Sequence, residues 1–149
     1  MRNPSTTVLL VEDDPDDRRC IEAAFDELDL EVTVRTARDG AEALEFLDAS
    51  VTAESTPRPD LVLLDLDLPG THGLDVLEEI RNDPALAALP VLILTNSTAE
   101  RDVVDTYDRS GNAYLTKPVD DSAYDSLIDT IREFWIDSAQ LPTEPARTR

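Results

Sequence analysis

An α/β fold is the expectation from this sequence: a doubly wound, five-stranded parallel sheet with strands in the order 2-1-3-4-5. Three observations predict it. Short apolar runs alternate five times with amphipathic stretches along the 149 residues. The runs are apolar at consecutive positions, as strands covered on both faces are. Five such units joined by right-handed crossovers leave few topologies, and this order is the simplest.

The elements follow in chain order. Residues 8–11 (Val-Leu-Leu-Val) read as the first strand, leading to a helix over 15–28. Asp14 suits its N-cap and Pro15 its first helical position. Residues 32–34 form the second strand, followed by a helical pattern over 41–48. Residues 49–59 are polar and end in Pro57-Arg58-Pro59, so a long surface loop is expected. Residues 61–64, Leu-Val-Leu-Leu, are the most apolar run, and the helix after them (74–82) is stopped by Asp83-Pro84. Residues 91–94 precede a helix over 98–109, with Ser97 and Glu100 at capping-box spacing. Residues 113–115 are the fifth strand and 122–136 the last helix.

On that last helix Tyr124, Leu127, Ile128, Ile131 and Trp135 fall on one stripe, with Phe134 at its edge. A helix from 121 to 136 reaches ~24 Å, whereas strands of ordinary length reach ~17–20 Å. The stripe therefore outruns the sheet. Residues 1–136 are expected to be one domain and 137–149, with two prolines and no periodicity, a loose tail with no output domain.

Composition excludes several classes. With 41% apolar residues a real core can form, and no apolar run approaches the ~18–20 residues of a membrane span. No signal-type stretch follows Met1, so a cytoplasmic protein is expected. One cysteine, Cys20, rules out an internal disulfide; its neighbours Ile21, Ala24, Phe25 and Leu28 place it on a core face. Against 33 acidic residues stand 13 basic ones, a net charge of −20. That field disfavours nucleic acid. A solvated surface adapted to a salty, halophilic cytoplasm accounts for it; a docking face for a basic partner is the alternative.

Ligands in this architecture bind beyond the carboxyl ends of the strands. The first strand delivers Glu12-Asp13-Asp14 there, the third Asp65-Leu66-Asp67, the fourth Thr95-Asn96-Ser97 and the fifth Thr116-Lys117-Pro118. Strand two brings Thr36 and Arg38, with no evident role. Two carboxylates ~4 Å apart at an effective dielectric of about 20 repel by roughly 4 kcal/mol, so a cation or bound protons must relieve the crowding. Oxygen donors without histidine or cysteine suit a hard ion such as Mg²⁺. Lys117 offers a compact positive charge and Thr95 a hydroxyl to the oxygens of a phosphoryl group. A carboxylate can be the nucleophile, forming an aspartyl-phosphate, and Asp65, central in the sheet, is the best placed. Singly these are turn and cap residues; their convergence on successive strands makes a site.

Val11-Glu12-Asp13-Asp14, the run from Asp65 to Pro69 with Gly73, Leu94-Thr95, and the run from Tyr114 to Pro118 match a known set in order and spacing. On these motifs the chain resembles the response-regulator receiver family over residues 7 to about 136, a flavodoxin-like (CheY-like) fold. The resemblance implies Asp65 as phosphoacceptor for a sensor histidine kinase. It implies Mg²⁺ held by Glu12, Asp13, Asp65 and the Asp67 backbone carbonyl, and Thr95 and Lys117 on the phosphoryl oxygens. It further implies a switch in which Tyr114 follows Thr95, and a cis peptide before Pro118. Lys117 is the chain's single lysine, and it falls where this family needs one.

The departures are Asn96, where the family usually has a small residue and which is expected to crowd the phosphoryl group, the extra carboxylate of Asp67, and Ser97. The 49–59 segment and the aromatic helix end resemble stand-alone regulators paired with phytochrome-type kinases. That likeness implies a homodimer through the fourth helix, fifth strand and fifth helix; a tail folded back over Phe134 and Trp135 is the alternative. A haloacid-dehalogenase-type phosphatase with Asp65 as nucleophile is the enzymatic rival, but its motif would follow the first strand. A flavodoxin-type cofactor binder would need a Ser/Thr/Gly phosphate loop where Glu12-Asp13-Asp14 stands. His72 is expected to be an exposed loop residue, and Gly70 and Gly73 to serve tight turns.

Overall fold

The computed structural model describes residues 6–28, 31–53 and 56–138. Five strands, β1 (Thr6–Val11), β2 (Val32–Ala37), β3 (Leu61–Leu64), β4 (Val91–Thr95) and β5 (Ala113–Thr116), form one parallel sheet in the order β2-β1-β3-β4-β5. The helices are α1 (Pro15–Asp26), α2 (Gly40–Thr52), α3 (Gly73–Asn82), α4 (Glu100–Asp108) and α5 (Tyr124–Ile131). The expected architecture and strand order are both present.

Strand alternation divides the core in two. From β1, Val8 and Leu10 join Ile21, Phe25, Tyr124, Ile128 and Ile131 on the α1/α5 face. Leu9 and Val11 join Leu47, Val76, Leu77 and Ile80 on the α2/α3 face. β1, β3 and β4 are sandwiched between these layers and almost wholly buried, which is why their sequences are apolar without interruption. Each buried Leu or Ile contributes roughly 1.5–3 kcal/mol, so these strands are the most rigid platform in the domain.

The helix ends show where local signals won. Asp14 caps α1, its Oδ1 accepting the N–H of Asp16 at 2.8 Å, and Pro15 occupies the first position. α3 ends at Asn82, before Asp83-Pro84. The capping box expected at Ser97 does not form. α4 begins at Glu100 without a side-chain cap, because the Ser97 hydroxyl donates instead to Asp102 Oδ2 at 2.5 Å.

Other expectations need correction. Residues 49–52 are the last turn of α2, not loop: Ser50 is buried and satisfies its hydroxyl on the Leu47 carbonyl, while Val51 packs on the core. Residues 54–55 lie outside the described residues. Cys20 is half-buried at the edge of its cluster rather than enclosed. The last helix is composite: a 3₁₀ turn (Asp121–Ala123), α5, then a π-helical stretch (Arg132–Ser138). The expected tail thus starts helical at 137–138, and 139–149 lie outside the described residues. The stripe is nonetheless as read, with Tyr124, Ile128 and Ile131 buried, Leu127 and Trp135 packed partly against them, and Phe134 58% exposed. No described peptide bond is cis, so the bond before Pro118 is trans. Trans is the intrinsically lower isomer even for X–Pro, by about 0.5–1 kcal/mol, and here the Lys117 N–H still reaches the Thr95 carbonyl at 2.8 Å. No helix among the described residues is long and apolar enough to cross a membrane.

Candidate functional site

Strand register sets the site. Val11 pairs with Leu64, so Glu12 and Asp65 leave adjacent strands at the same level; the Asp65 N–H donates to the Val11 carbonyl at 3.1 Å. Thr95 pairs with Thr116, which brings Lys117 to the same edge. Three buried strands and the half-buried β5 therefore deliver four polar side chains that are themselves buried: Glu12, Asp65, Thr95 and Lys117.

Carboxylate oxygens of Glu12, Asp13 and Asp65 lie within 4.8 Å of one another, with Asp13 exposed and the other two enclosed. Lys117 Nζ stands 2.7 Å from Glu12 Oε1, 2.9 Å from Asp65 Oδ2 and 2.9 Å from Asp17 Oδ2. The other oxygens have backbone partners: Asp14 N–H donates to Glu12 Oε2 at 3.1 Å and Asp67 N–H to Asp65 Oδ1 at 3.2 Å.

The electrostatics follow from burial. Burial pushes the Glu12 carboxyl up to about 7, the Lys117 hydrogen bond opposing this and the Asp65 charge adding to it. For Lys117 burial favours the neutral amine, but its hydrogen bonds to Asp17, Glu12 and Asp65 outweigh that and hold it well above the ordinary lysine range. Lys117 is thus held as a cation beside a Glu12 whose ionisation burial opposes. An all-oxygen donor set of this size, open on the Asp13 side, fits a hard divalent cation.

The other expected residues are placed as follows. Thr95 is wholly buried, its Oγ1 3.5 Å from the Ser97 nitrogen. Asn96 and Asp67 are exposed. Tyr114 is half-buried against the α2/α3 core, and its hydroxyl donates to the Ser97 carbonyl at 2.8 Å. His72 is exposed as expected, and also caps α3, Nδ1 accepting the Leu74 N–H at 3.1 Å. Gly70 adopts φ +78°, a turn conformation. Gly73 sits against the Asp65 backbone: a Cβ there would lie 2.4 Å from the Asp65 carbonyl oxygen.

Sequence reasoning missed two members. Asp17, in the first turn of α1, supplies the third carboxylate on Lys117, and Tyr124 of α5 reaches Asp17 Oδ1 with its hydroxyl at 3.4 Å. Asp17 reads as ordinary helix-start charge and Tyr124 as core stripe. The signal available was that Asp17 sits one turn past a strand-end acidic run.

A family model of the response regulator receiver domain matches residues 8–129. The chain belongs to this family. Among curated relatives, Response regulator Rcp1 of Synechocystis is 37% identical over 140 residues, covering 94% of this chain and 95% of that protein. Among solved structures, the phosphorylated cyanobacterial phytochrome response regulator RcpA superposes with a TM-score of 0.88 at 38% identity, covering 94% of this chain and all of that one. The Mn²⁺-bound form of Rcp1 gives 0.85 at 36%, covering 93% and 99%. The receiver is therefore similar to stand-alone phytochrome response regulators along nearly its whole length. The phosphatase reading gives way to this membership; the nucleophile motif follows β3 and the acidic run β1, in the receiver arrangement rather than the phosphatase one.

Proposed function

We propose that this chain is a single-domain response regulator that accepts a phosphoryl group onto Asp65 from the phosphohistidine of a sensor histidine kinase, in a Mg²⁺-dependent reaction. One observation carries the reading. The Asp65 carboxylate, 5% exposed, is held by the Lys117 ammonium at 2.9 Å and gathers with the carboxylates of Glu12 and Asp13. In the transfer an Asp65 oxygen forms the new P–O bond as the P–N bond to the donor imidazole breaks, the electron pair leaving with that nitrogen. Glu12, Asp13, Asp65 and the Asp67 backbone carbonyl would hold Mg²⁺, which when bound offsets the negative charge gathered at the edge. Lys117 and Thr95 then bind the phosphoryl oxygens. Thr95 and Tyr114 form the switch, the Tyr114–Ser97 contact being the bond that rearranges. Water closes the cycle by hydrolysing the acyl phosphate within the same site, so the protein is a self-catalysed phosphoacceptor rather than an enzyme acting on other substrates.

Residues 1–136 act as the receiver, and the signal passes through protein contacts or onward phosphotransfer in the cytoplasm. The likeness to phytochrome response regulators favours a phytochrome-type kinase as partner. Exposed Val104 and Tyr107 on α4 and Phe134 after α5 favour a homodimer through α4, β5 and α5. The acidic surface, which disfavours direct binding to nucleic acid, is read as adaptation to salt, and a melting temperature that rises in molar KCl would support that.

Intact-mass measurement after incubation with acetyl phosphate tests the central claim. Wild type should gain one phosphoryl group only with Mg²⁺ present, and Asp65→Asn should gain none. Asp13→Ala should lose most of the labelling. Equal labelling of Asp65→Asn would overturn the assignment.

A further inference from the structure

The Lys117 ammonium stands among three carboxylates: it donates to Asp65 and to Asp17, both at 2.9 Å, and forms an ion pair with Glu12 at 2.7 Å. Glu12 and Asp65 belong to the acidic group already described. Asp17 lies outside it, on the first turn of α1. Its side chain is 21% exposed, against 2% for Glu12 and 5% for Asp65. Its second oxygen accepts the hydroxyl of Tyr124, a residue only 2% exposed, at 3.4 Å. α5 thus steadies a carboxylate that α1 aims at the lysine.

Neutralising a buried lysine does not require Asp17. Glu12 and Asp65 already supply two close anions, and a third adds repulsion among like charges. We propose that Asp17 is a positioning residue that competes with the phosphoryl oxygens for Lys117, and so sets how tightly the site holds a phosphoryl group. The proposal rests on the phosphoacceptor reading of Asp65 and adds a restraint on the lysine that serves it. A phosphoryl group arriving at Asp65 needs the ammonium, which three carboxylates already hold. The partner that can release it at least cost is the one water reaches, because an unpaired carboxylate is costlier the deeper it is buried. That partner is Asp17.

The test is a calorimetric titration of the full chain with fluoroberyllate, a tetrahedral mimic of a carboxylate-bound phosphoryl group, at saturating Mg²⁺. Asp17→Asn keeps the shape and an acceptor oxygen but removes the charge. It should bind fluoroberyllate about fivefold or more tightly than wild type, the scale of one partly screened charge-assisted hydrogen bond. Asp17→Ser should move the affinity in the same direction. Asp16→Asn removes equal charge from the same turn, where Asp16 is exposed and pairs with Arg19 rather than Lys117; it should stay within about twofold of wild type, as solvent screens an exposed charge. A structural role would instead lower the melting temperature and leave affinity unchanged or weaker, and that result overturns the proposal. So does an equal gain in Asp16→Asn, which would reduce the effect to net charge. A wild type that binds no fluoroberyllate overturns the phosphoacceptor reading itself, and this inference with it.

Discussion

Lys117 Nζ lies 2.9 Å from Asp65 Oδ2, and both side chains are at least 95% withdrawn from solvent. The two residues are 52 positions apart and meet because β3 and β5 flank β4. A buried cation so placed holds together a group of carboxylates that would otherwise repel one another. Removing one partner of a buried ion pair typically costs about 3–5 kcal/mol.

Lys117→Met should therefore destabilise the metal-free protein, and the loss should depend on pH. Without the ammonium, Glu12 loses the hydrogen bond that opposes its upward shift, so its folded-state pKa rises further above the unfolded one. Such a group favours folding at low pH and loses that contribution as pH rises. Urea denaturation should show a larger deficit against wild type at pH 8 than at pH 5. The same deficit at both would mean that packing, not charge, is what the lysine supplies.

Glu12 gives a second pH dependence. Its carboxyl is pushed up from 4.5 to about 7, chiefly by burial. The contribution to metal-free stability is fully present below pH 4.5 and is lost as pH rises through about 7, on the order of 3 kcal/mol for a shift of this size. A divalent cation reverses the preference, since it binds the ionised form and displaces the proton. Metal affinity should fall as pH drops from 8 to 6, with proton release on binding largest at or below pH 7. Calorimetry in buffers of different ionisation enthalpy counts those protons, and a count near zero at pH 6.5 would contradict the shift.

Much of this site was legible because its residues stand at strand ends, three of them on buried strands. An apolar run fixes where a strand stops, and parallel register then aligns the next residues, so Glu12, Asp65, Thr95 and Lys117 could be grouped without knowing any side-chain contact. Asp17 and Tyr124 were not legible for the complementary reason. Asp17 and Lys117 are 100 positions apart, and their meeting depends on how α1 docks, not on any local pattern. Ser97 misled in the other direction. Its spacing to Glu100 fits a capping box, yet its hydroxyl donates to Asp102 while its carbonyl accepts from Tyr114. The Ala-Ser-Val turn at 49–51 was lost to composition: polar flanks hid a Ser50 that satisfies itself on the helix backbone.

Gly73 links backbone packing to Asp65. A methyl at this position would stand 2.4 Å from the Asp65 carbonyl oxygen and 2.7 Å from Leu66 Cα, both backbone atoms with no rotamer to yield. Gly73→Ala must shift either α3 or the turn after β3. Overpacking of this kind typically costs about 1–3 kcal/mol, and here the displaced atoms carry Asp65. The variant should lose phosphorylation by acetyl phosphate out of proportion to its stability, tested by intact mass at a temperature where circular dichroism shows it folded. Normal labelling would mean that the α3 end absorbs the strain.

The last prediction concerns assembly. The stripe on α5 continues beyond the sheet, and the structure divides it: Tyr124, Ile128 and Ile131 are enclosed, Trp135 is partly packed on them, and Phe134 is 58% exposed beside it in an edge-to-face contact of 5.1 Å. On α4, Val104 and Tyr107 are 50% and 52% exposed. Burying the exposed half of each such side chain against a second copy contributes roughly 1 kcal/mol, a driving force for a homodimer through α4, β5 and α5. Charge opposes it, because each chain carries −20, so association should strengthen as salt screens the repulsion. Light scattering at tens of micromolar should report a dimer whose population grows with KCl and with fluoroberyllate plus Mg²⁺, since Tyr114 ties the Ser97 loop to β5 beside this face. Phe134→Ala should weaken it, and Phe134→Ala with Tyr107→Ala should abolish it while leaving Asp65 labelling intact. A wild type that remains monomeric in molar KCl, with and without the mimic, would exclude this dimer.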